Sequence, residues 1–275
     1  TLTRAFQNQG VEVIWAQGES EDEARIHRYN FPDIPFYLGE LSHAADKIPS
    51  HDILLASLSC GPFSISVNRA YQDKSREQLY FVDSLLSKHQ PRAVCFMFPA
   101  FQMLAHNNEI LDLVKQNNYQ YSYRILEKGR DGGVPVQGKK GYLIGIREGA
   151  SSYEFEFPDP CHSVRTIEEL WRAEEQKDVY YRIPRRYEEL LAQQELKRGR
   201  IYKIVSHITE QAPRFELREC TVCPALTPRS YRETFVRDSR GVRNLTEKEY
   251  LLLSGDKETM FPDKMSRSRI LKALN

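Results

Sequence analysis

The stretch DILLASL (52–58) decides the fold class of this 275-residue chain. Its unbroken apolar run is typical of a β-strand covered on both faces, as the strands of parallel sheets are. A second such run, AVCFMF (93–98), follows SREQLYFVDSLLSKH (75–89), whose apolar residues recur at helical spacing. Strands separated by helices of this length predict βαβ units and a doubly wound, mostly parallel α/β sheet.

The same alternation extends to both sides of this stretch, over the first 150 residues. VEVIWA (11–16) predicts a strand, and ESEDEARIHRYN (19–30) predicts a helix because acidic residues open it and basic residues close it. Three further elements are expected downstream, a helix and two strands: EILDLVKQN (109–117), YSYRIL (121–126) and KGYLIGI (140–146).

The alternation ends in a proline-containing segment, and we place a domain boundary near residues 148–160. This gives a core at 1–150, a smaller mixed lobe at 160–240, and a segment at 241–275 that is expected to pack back on the core. The predicted elements beyond the boundary are three helices and two strands: TIEELWRAEEQ (166–176), YEELLAQQELKRG (187–199), NLTEKEYLLLSGD (244–256), IYKIVSHI (201–208) and RFELRECTV (214–222). Thr166 with Glu169, and Thr246 with Glu249, have the spacing of capping boxes.

The composition is that of a globular protein, with 40% hydrophobic and 28% charged residues, and it excludes a disordered chain. The apolar runs are far shorter than the roughly 20 residues needed to span a bilayer. We expect no membrane partner, and a cytoplasmic or nucleoid-associated location, or a nuclear one in a eukaryote.

Positive charge is concentrated in the second lobe, although the net charge of the chain is only +1. Residues 197–243 contain 11 Lys and Arg against five Asp and Glu. Local positive charge on a neutral protein is expected where a polyanion binds, and a solvated basic face is the alternative.

The five cysteines do not form a disulfide framework, since they are few for this length and widely spaced. Cys220 and Cys223 form a CxxC pair, but no second pair of ligands with zinc-site spacing accompanies it. We interpret both as ordinary thiols. Cys60 is different because it follows a buried strand directly, and ligands of doubly wound sheets bind at the carboxyl ends of strands.

Four segments resemble the DNA cytosine-5 methyltransferase family. DILLASLSCGPFS (52–64) resembles its Pro-Cys-Gln-Pro-Phe-Ser block, and residues 11–41 resemble its second and third cofactor motifs. GGVPVQGKKGYLIGI (132–146) resembles the Gly-Val-Pro-Gln-x-Arg-x-Arg block, and VRNLTEKEYLLLSGD (242–256) resembles Arg-x-Leu-Thr-x-Arg-Glu. The four occur in the order of the family, over about 240 residues.

The resemblance implies a Rossmann-like S-adenosylmethionine methyltransferase fold and a known chemistry. A cysteine thiolate, here Cys60, adds to carbon 6 of a cytosine flipped out of double-stranded DNA, so that carbon 5 can accept the methyl group. The resemblance also implies two sets of binding residues. The cofactor set is Trp15, Glu19, Glu40 and Pro62, although Trp15 is alternatively a core strand residue and Glu19 part of a solvated helix start. The DNA-binding set, taken from the basic stretch and from Lys140, is Lys140, Lys203, Arg229, Arg232, Arg237 and Arg243.

Several parts of the family pattern are replaced. Met97-Phe98-Pro99 occupies the position of Glu-Asn-Val, whose acid supports the cytosine ring as sulfur attacks. Gly61 replaces the glutamine that follows the nucleophile in the family, and Gly138 and Lys140 replace the two arginines of the Gly-Val-Pro-Gln-x-Arg-x-Arg block. The family's opening strand and glycine-rich turn have no counterpart in the sequence, so S-adenosylmethionine binding is expected to be weak or lost.

Two hypotheses follow. In the first, the chain is a degenerate family member retained as a DNA-binding or regulatory subunit, with restriction-modification as its expected context. In the second, it is an active methyltransferase that uses Cys60, with the missing parts supplied by a catalytic partner subunit.

Overall fold

The computed structural model describes residues 2–40, 43–58, 80–99, 107–152, 154–161, 163, 165–171, 176–208, 213–225 and 231–273. Within them the chain divides into two compact units. The N-terminal unit contains residues 2–127 and 139–160. The C-terminal unit contains residues 128–138 and 161–275.

The N-terminal unit is built from six strands and four helices in its described part. The strands are β1 (Ala16–Gly18), β2 (Phe36–Leu38), β3 (Ile53–Ser57), β4 (Ala93–Pro99), β5 (Tyr119–Glu127) and β6 (Lys139–Arg147). The helices are α1 (Leu2–Gln7), α2 (Glu21–Asn30), α3 (80–89) and α4 (Asn107–Gln116), with a 3-10 turn at Ala45–Lys47.

These strands form two separate sheets. β1 and β2 pair in parallel, and a four-stranded sheet has the order β3-β4-β6-β5. β3 and β4 are parallel, whereas β6 is antiparallel to both of its neighbours. The prediction of an α/β fold is confirmed. The four-stranded sheet is mixed rather than mostly parallel, because the consecutive strands β5 and β6 pair antiparallel to each other.

The predicted strand at 11–16 is wrong in extent, since β1 begins only at Ala16. The ladder starts where the Ala16 N–H donates to the Pro35 carbonyl at 3.0 Å. Residues 11–15 have no strand partner among the described residues. An apolar run without a ladder partner does not become a strand, however high its β propensity.

The core of the N-terminal unit lies between the four-stranded sheet and helices α3 and α4. Its fully buried members include Val82 and Leu86 of α3, Phe96 of β4, Val114 of α4 and Leu143 of β6. α2 begins as predicted, because the Ser20 hydroxyl accepts from the Glu23 N–H and the Glu23 carboxylate accepts from the Ser20 N–H.

The C-terminal unit carries an antiparallel sheet of order β10-β9-β7-β8. Its strands are β7 (Ile201–Ile208), β8 (Pro213–Cys220), β9 (Thr234–Arg237) and β10 (Val242–Asn244). Its helices are α5 (Ile167–Leu170), α6 (Arg185–Ala192), α7 (Glu247–Leu253) and α8 (Arg267–Ala273), with a 3-10 turn at Asp178–Tyr181. Both predicted capping boxes are present, at the starts of α5 and α7.

The division of the chain differs from the expected domains at two places. Residues 128–138 leave the N-terminal unit between β5 and β6 and belong to the C-terminal unit. The segment 241–275 also belongs to the C-terminal unit. The reason is burial, since Leu245, Tyr250 and Leu253 pack into the same core as Ile201 and Val236. No helix within the described part of the chain is long and apolar enough to cross a membrane.

Candidate functional site

The carboxyl ends of β3 and β4 form the candidate catalytic edge. The two strands are parallel, with Ser57 opposite Met97, and the Leu58 N–H donates to the Met97 carbonyl at 2.8 Å. The chain therefore enters the segment that carries Cys60 directly beside Met97. Cys60 and Pro62 themselves lie outside the described residues, so their roles stay predictions.

The side chain of Met97 is buried, with 5% of its surface exposed. In the ladder it lies opposite Tyr142 of β6, and Lys140 lies opposite Pro99 at the same end of the sheet. Cys95 is on the same face of β4 as Met97, since side chains two residues apart share a face. Burial raises the pKa of the Cys95 thiol to about 11, so this sulfur is protonated at neutral pH.

Tyr142 and Cys95 were not among the predicted site residues. Tyr142 is half-buried, and burial together with the neighbouring Cys95 raises the pKa of its hydroxyl. The signal that points to Tyr142 is its place in GYLIGI (141–146), two residues beyond Lys140 in the same strand. Only the strand register shows that it lies opposite Met97.

The carboxyl ends of β1 and β2 form a second edge, where the cofactor residues were predicted. Gly18 lies opposite Leu38, so Glu19 and Glu40 follow adjacent strand ends, and both are exposed. Trp15 is half-buried and stacks on Tyr37, with ring centroids 6.4 Å apart and an interplanar angle of 13°.

The end of β1 is closely filled. A Cβ atom at Gly18 would lie 2.8 Å from Glu23 Oε2 and 2.9 Å from the Phe36 ring. The Glu23 carboxylate already accepts from the N–H groups of Glu19 and Ser20. Glu23 therefore serves the start of α2, while the exposed Glu19 and Glu40 follow the two strand ends.

The predicted DNA-binding residues do not form one set. Lys140 is exposed on β6 of the N-terminal unit, and Arg232 is exposed in the C-terminal unit, where Lys203 of β7 is half-buried. Arg237 is exposed at the end of β9, and its guanidinium donates to the Leu196 carbonyl at 3.1 Å. Arg229 lies outside the described residues.

Arg243 corrects the prediction, because its side chain is fully buried. Its Nε donates to Asp238 Oδ2 at 2.6 Å, and its Nη2 donates to Glu249 Oε1 at 2.7 Å. A buried guanidinium held by two carboxylates is not available to a DNA phosphate. The local sequence does not indicate this burial, because Arg243 lies in a basic stretch.

The network around Arg243 is hydrogen-bonded at both carboxylates. Asp238 accepts from the Tyr181 hydroxyl and from the N–H groups of Arg240 and Gly241. Burial opposes the charge of Asp238, but these hydrogen bonds and the one from Arg243 lower its pKa overall. Glu249 accepts from the Trp171 indole N–H at 3.0 Å and from the Thr246 N–H at 2.7 Å. Such pairing is what makes a buried ion pair tolerable.

These residues coincide with one block of the resemblance. Arg243, Leu245, Thr246 and Glu249 occupy the fixed positions of Arg-x-Leu-Thr-x-Arg-Glu, with Lys248 in place of the second arginine. In this chain the block acts structurally: the Thr caps α7, Leu245 is buried in the core, and the Glu binds the Arg.

The family model that describes the C-5 cytosine-specific DNA methylases matches residues 1–269. The chain belongs to this family. It is similar to the type II methyltransferase M.Bsp6I of Bacillus sp. (strain RFL6), at 22% identity over 95% of the chain and 85% of that protein. It is also similar to M.HaeII of Haemophilus aegyptius, at 28% identity over 94% of the chain and 78% of that protein.

Other curated methyltransferases match over a smaller share of their length. M.NgoBI of Neisseria gonorrhoeae is 27% identical over 63% of the chain and 54% of that protein. The methylase fold is shown by solved structures of low sequence identity. A mutant of Spodoptera frugiperda DNMT2 superposes with a TM-score of 0.70 at 13% identity, covering 98% of this chain and 90% of that chain. The structure of S. pombe Dnmt2 superposes with a TM-score of 0.69 at 12% identity, covering 99% of this chain and 89% of that chain.

Proposed function

We propose that this methylase-family chain is catalytically degenerate and acts as a DNA-binding or regulatory subunit. The observation that supports this most is the buried Met97 side chain beside the strand end that leads to Cys60. In the resemblance this part of β4 carries the acid that supports the cytosine ring. A thioether cannot donate a proton to a ring nitrogen.

The sequence around Met97 supports the same proposal. No Asp or Glu occurs between Ser84 and Asn108, a stretch that includes all of β4. The titratable neighbours described at this edge are the thiol of Cys95, the phenol of Tyr142 and the cation of Lys140. Loss of one stabilising group of this kind reduces catalytic rate by about two to three powers of ten.

The second candidate function is an active DNA (cytosine-5-)-methyltransferase. Retention of Cys60 directly after β3 favours it, because that is where the family places its nucleophile. In this case the missing acid and the glycine-rich cofactor turn come from a partner subunit. A location with access to DNA, in the cytoplasm or nucleoid, suits both proposals.

S-adenosylmethionine is the family's cofactor, and in this chain Glu19 and Glu40 would hold its ribose and adenine. Trp15 is engaged with Tyr37 and is half-buried, so it contributes to packing beside them. We propose that binding is weak, because Glu23 and Phe36 closely fill the end of β1 beside Glu19. Titration calorimetry with the isolated chain tests this, and tight stoichiometric binding contradicts it.

Methyl transfer decides between the two functions. The full chain, alone and together with any co-purifying partner, is incubated with radiolabelled S-adenosylmethionine and duplex DNA, beside Cys60→Ser as the matched control. The degenerate chain gives equal background label with both proteins. Label transfer that disappears in Cys60→Ser contradicts the proposal and establishes the enzyme.

DNA binding is proposed to involve cations of the C-terminal unit, above all the half-buried Lys203 and the exposed Arg232. The double variant Lys203→Gln, Arg232→Gln is expected to lower the slope of log affinity against log salt by about 2, since each phosphate contact contributes about 0.9. Arg218→Gln is the control, because the Arg218 guanidinium is already held by Glu216 at 2.8 and 3.0 Å. An equal loss in the control and the double variant contradicts this surface.

A further inference from the structure

Two histidines lie together at the amino ends of β3 and β4, at the other end of these strands from the candidate catalytic edge. The strands are parallel, with Ile53 opposite Ala93, and the Ala93 N–H donates to the Asp52 carbonyl at 3.0 Å. His51 precedes β3, and His89 is the last residue of α3, before β4. Strand pairing therefore brings the two imidazole rings together, with centroids 5.4 Å apart and an interplanar angle of 36°.

The hydrogen bond of His51 fixes which of its ring nitrogens carries a proton. Its Nδ1 lies 2.8 Å from the Pro49 carbonyl oxygen. A carbonyl oxygen only accepts, so Nδ1 donates, and in the neutral ring Nε2 then carries a lone pair and no proton. This Nε2 is buried and has no hydrogen-bond partner among the described residues. Metal-binding histidines have this arrangement, in which one ring nitrogen donates to a carbonyl and the other binds the ion.

The separation of the two rings is close to that of two imidazoles on one metal ion. With Zn–N bonds of about 2.1 Å at a tetrahedral angle, two bound ring centres lie about 5 Å apart. The observed separation is 5.4 Å, so rotation of the rings in place can bring one nitrogen of each to a shared ion. Within the described part of the chain, no group of three or more His, Cys, Asp and Glu could hold a metal ion. The protein therefore supplies two ligands here, and solvent supplies the others.

The charges beside the two rings favour a bound cation. The Lys88 ammonium donates a hydrogen bond to the Asp46 carboxylate and lowers the pKa of that carboxyl, with a smaller contribution from His89. Asp46 is exposed and is charged at neutral pH. A negative charge therefore lies near His89, while the neighbouring ammonium is already paired.

We propose that His51 and His89 bind one divalent transition-metal ion of the zinc type, through a ring nitrogen of each. Imidazole is a ligand suited to zinc, copper and nickel, whereas Mg²⁺ and Ca²⁺ need oxygen ligands that this pair does not supply. The ion joins the segment that enters β3 to the end of α3. The proposal goes beyond the proposed function, since it concerns the opposite ends of the strands and holds for a degenerate and for an active protein.

Nuclear magnetic resonance of the full chain with isotope-labelled histidine tests the proposal, with ZnCl₂ as the probe. Before zinc is added, His51 is expected to be the Nδ1–H tautomer. As zinc is added at neutral pH, the ring signals of His51 and His89 are expected to shift together with one midpoint, and EDTA is expected to reverse the shift. Zinc bound by free cysteines does not obscure this result, because each histidine ring is observed separately.

Two variants and a matched control sharpen the test. His51→Gln and His89→Gln each remove one ligand, so the zinc concentration needed to shift the remaining ring is expected to rise at least about tenfold. His207→Gln is the control, because His207 is an exposed histidine whose Nε2 lies 3.1 Å from Glu216 Oε2. It is expected to leave the midpoint of His51 and His89 unchanged.

Four results overturn the proposal. His51 is the Nε2–H tautomer, or zinc leaves the signals of His51 and His89 in place, or the two rings shift with separate midpoints. The fourth is a rise in the midpoint in His207→Gln as large as in the two ligand variants. If a variant fails to fold, the tautomer and the shared midpoint in the unchanged chain still decide. The measurement uses no DNA and no S-adenosylmethionine, so its outcome is independent of the methyl-transfer experiment.

Discussion

Two blocks that resemble the family differ in whether they keep its charged residues. At the end of β4, Met97 stands where the resemblance places an acid, and its side chain is buried. Between β10 and α7, Arg243 and Glu249 keep their charges and form a buried, hydrogen-bonded ion pair. The difference teaches that a charged residue persists where removing it leaves buried partners unpaired. A catalytic acid, in contrast, can be replaced by an apolar side chain without such a penalty.

The largest expected effect tests the retained block. Arg243→Met leaves two buried carboxylates, Asp238 and Glu249, without their cation. We expect the free energy of unfolding of the C-terminal unit to fall by about 3–5 kcal/mol. Urea unfolding followed by Trp171 fluorescence measures it, in a Trp15→Phe background that removes the chain's other tryptophan.

Arg240→Met is the control for this measurement. Arg240 also binds an aspartate, since its Nη2 lies 2.6 Å from Asp178 Oδ1, but about half of its side-chain surface is exposed. Exposed ion pairs contribute about 0–1 kcal/mol. A loss of stability in Arg240→Met as large as in Arg243→Met contradicts the claim that burial makes the Arg243 ion pairs costly to remove.

The next effect concerns a buried polar group in the N-terminal unit that lacks partners. Both ring nitrogens of His27 are buried without a hydrogen bond among the described residues, and the ring packs on Phe31 and Phe36. Burial, with a contribution from Arg28, lowers its pKa from 6.5 to about 4. The unfolded chain therefore takes up the proton first as pH falls.

Stability of the N-terminal unit is expected to decrease between pH 6.5 and pH 4, by about 2–3 kcal/mol from this group. Urea unfolding at several pH values, followed by circular dichroism, measures the decrease. His27→Phe keeps the ring contacts and removes the titration, so its stability should vary less over this range. Identical pH profiles for the two proteins disprove this role of His27.

The smallest effect compares two capping boxes. Thr246 and Glu249 at the start of α7 are buried, whereas Thr166 and Glu169 at the start of α5 are exposed. Thr246→Ala leaves a buried N–H unpaired and is expected to cost about 1–2 kcal/mol, while Thr166→Ala costs about 0.5 kcal/mol because water replaces the hydroxyl. Thermal unfolding of the two variants gives the difference, and equal shifts in midpoint contradict the reasoning.

Local patterns in the sequence predicted the elements well. Strand β7 has the predicted bounds, β3 lies within DILLASL (52–58), and both Thr-to-Glu capping boxes form. Such features depend on residues close in sequence, so their spacing is sufficient. The family could likewise be identified from four short blocks in order.

Pairing and burial were decided by residues distant in sequence. The run VEVIWA (11–16) contributes only its last residue to a strand, since its earlier residues find no ladder partner among the described residues. The basic stretch predicts that Arg243 binds a phosphate, but in the structure its guanidinium is buried and paired with Asp238 and Glu249.

By itself, the sequence determined the positions of the longer strands and helices, that Cys60 follows a buried strand, and that no Asp or Glu lies between Ser84 and Asn108. Tertiary structure alone decided that Ser57 lies beside Met97, that β6 runs antiparallel between β4 and β5, and that residues 128–138 belong to the C-terminal unit. The physical reason is that propensity and capping are local energies. Strand register and burial, in contrast, are set by which distant backbone groups and side chains exclude water together.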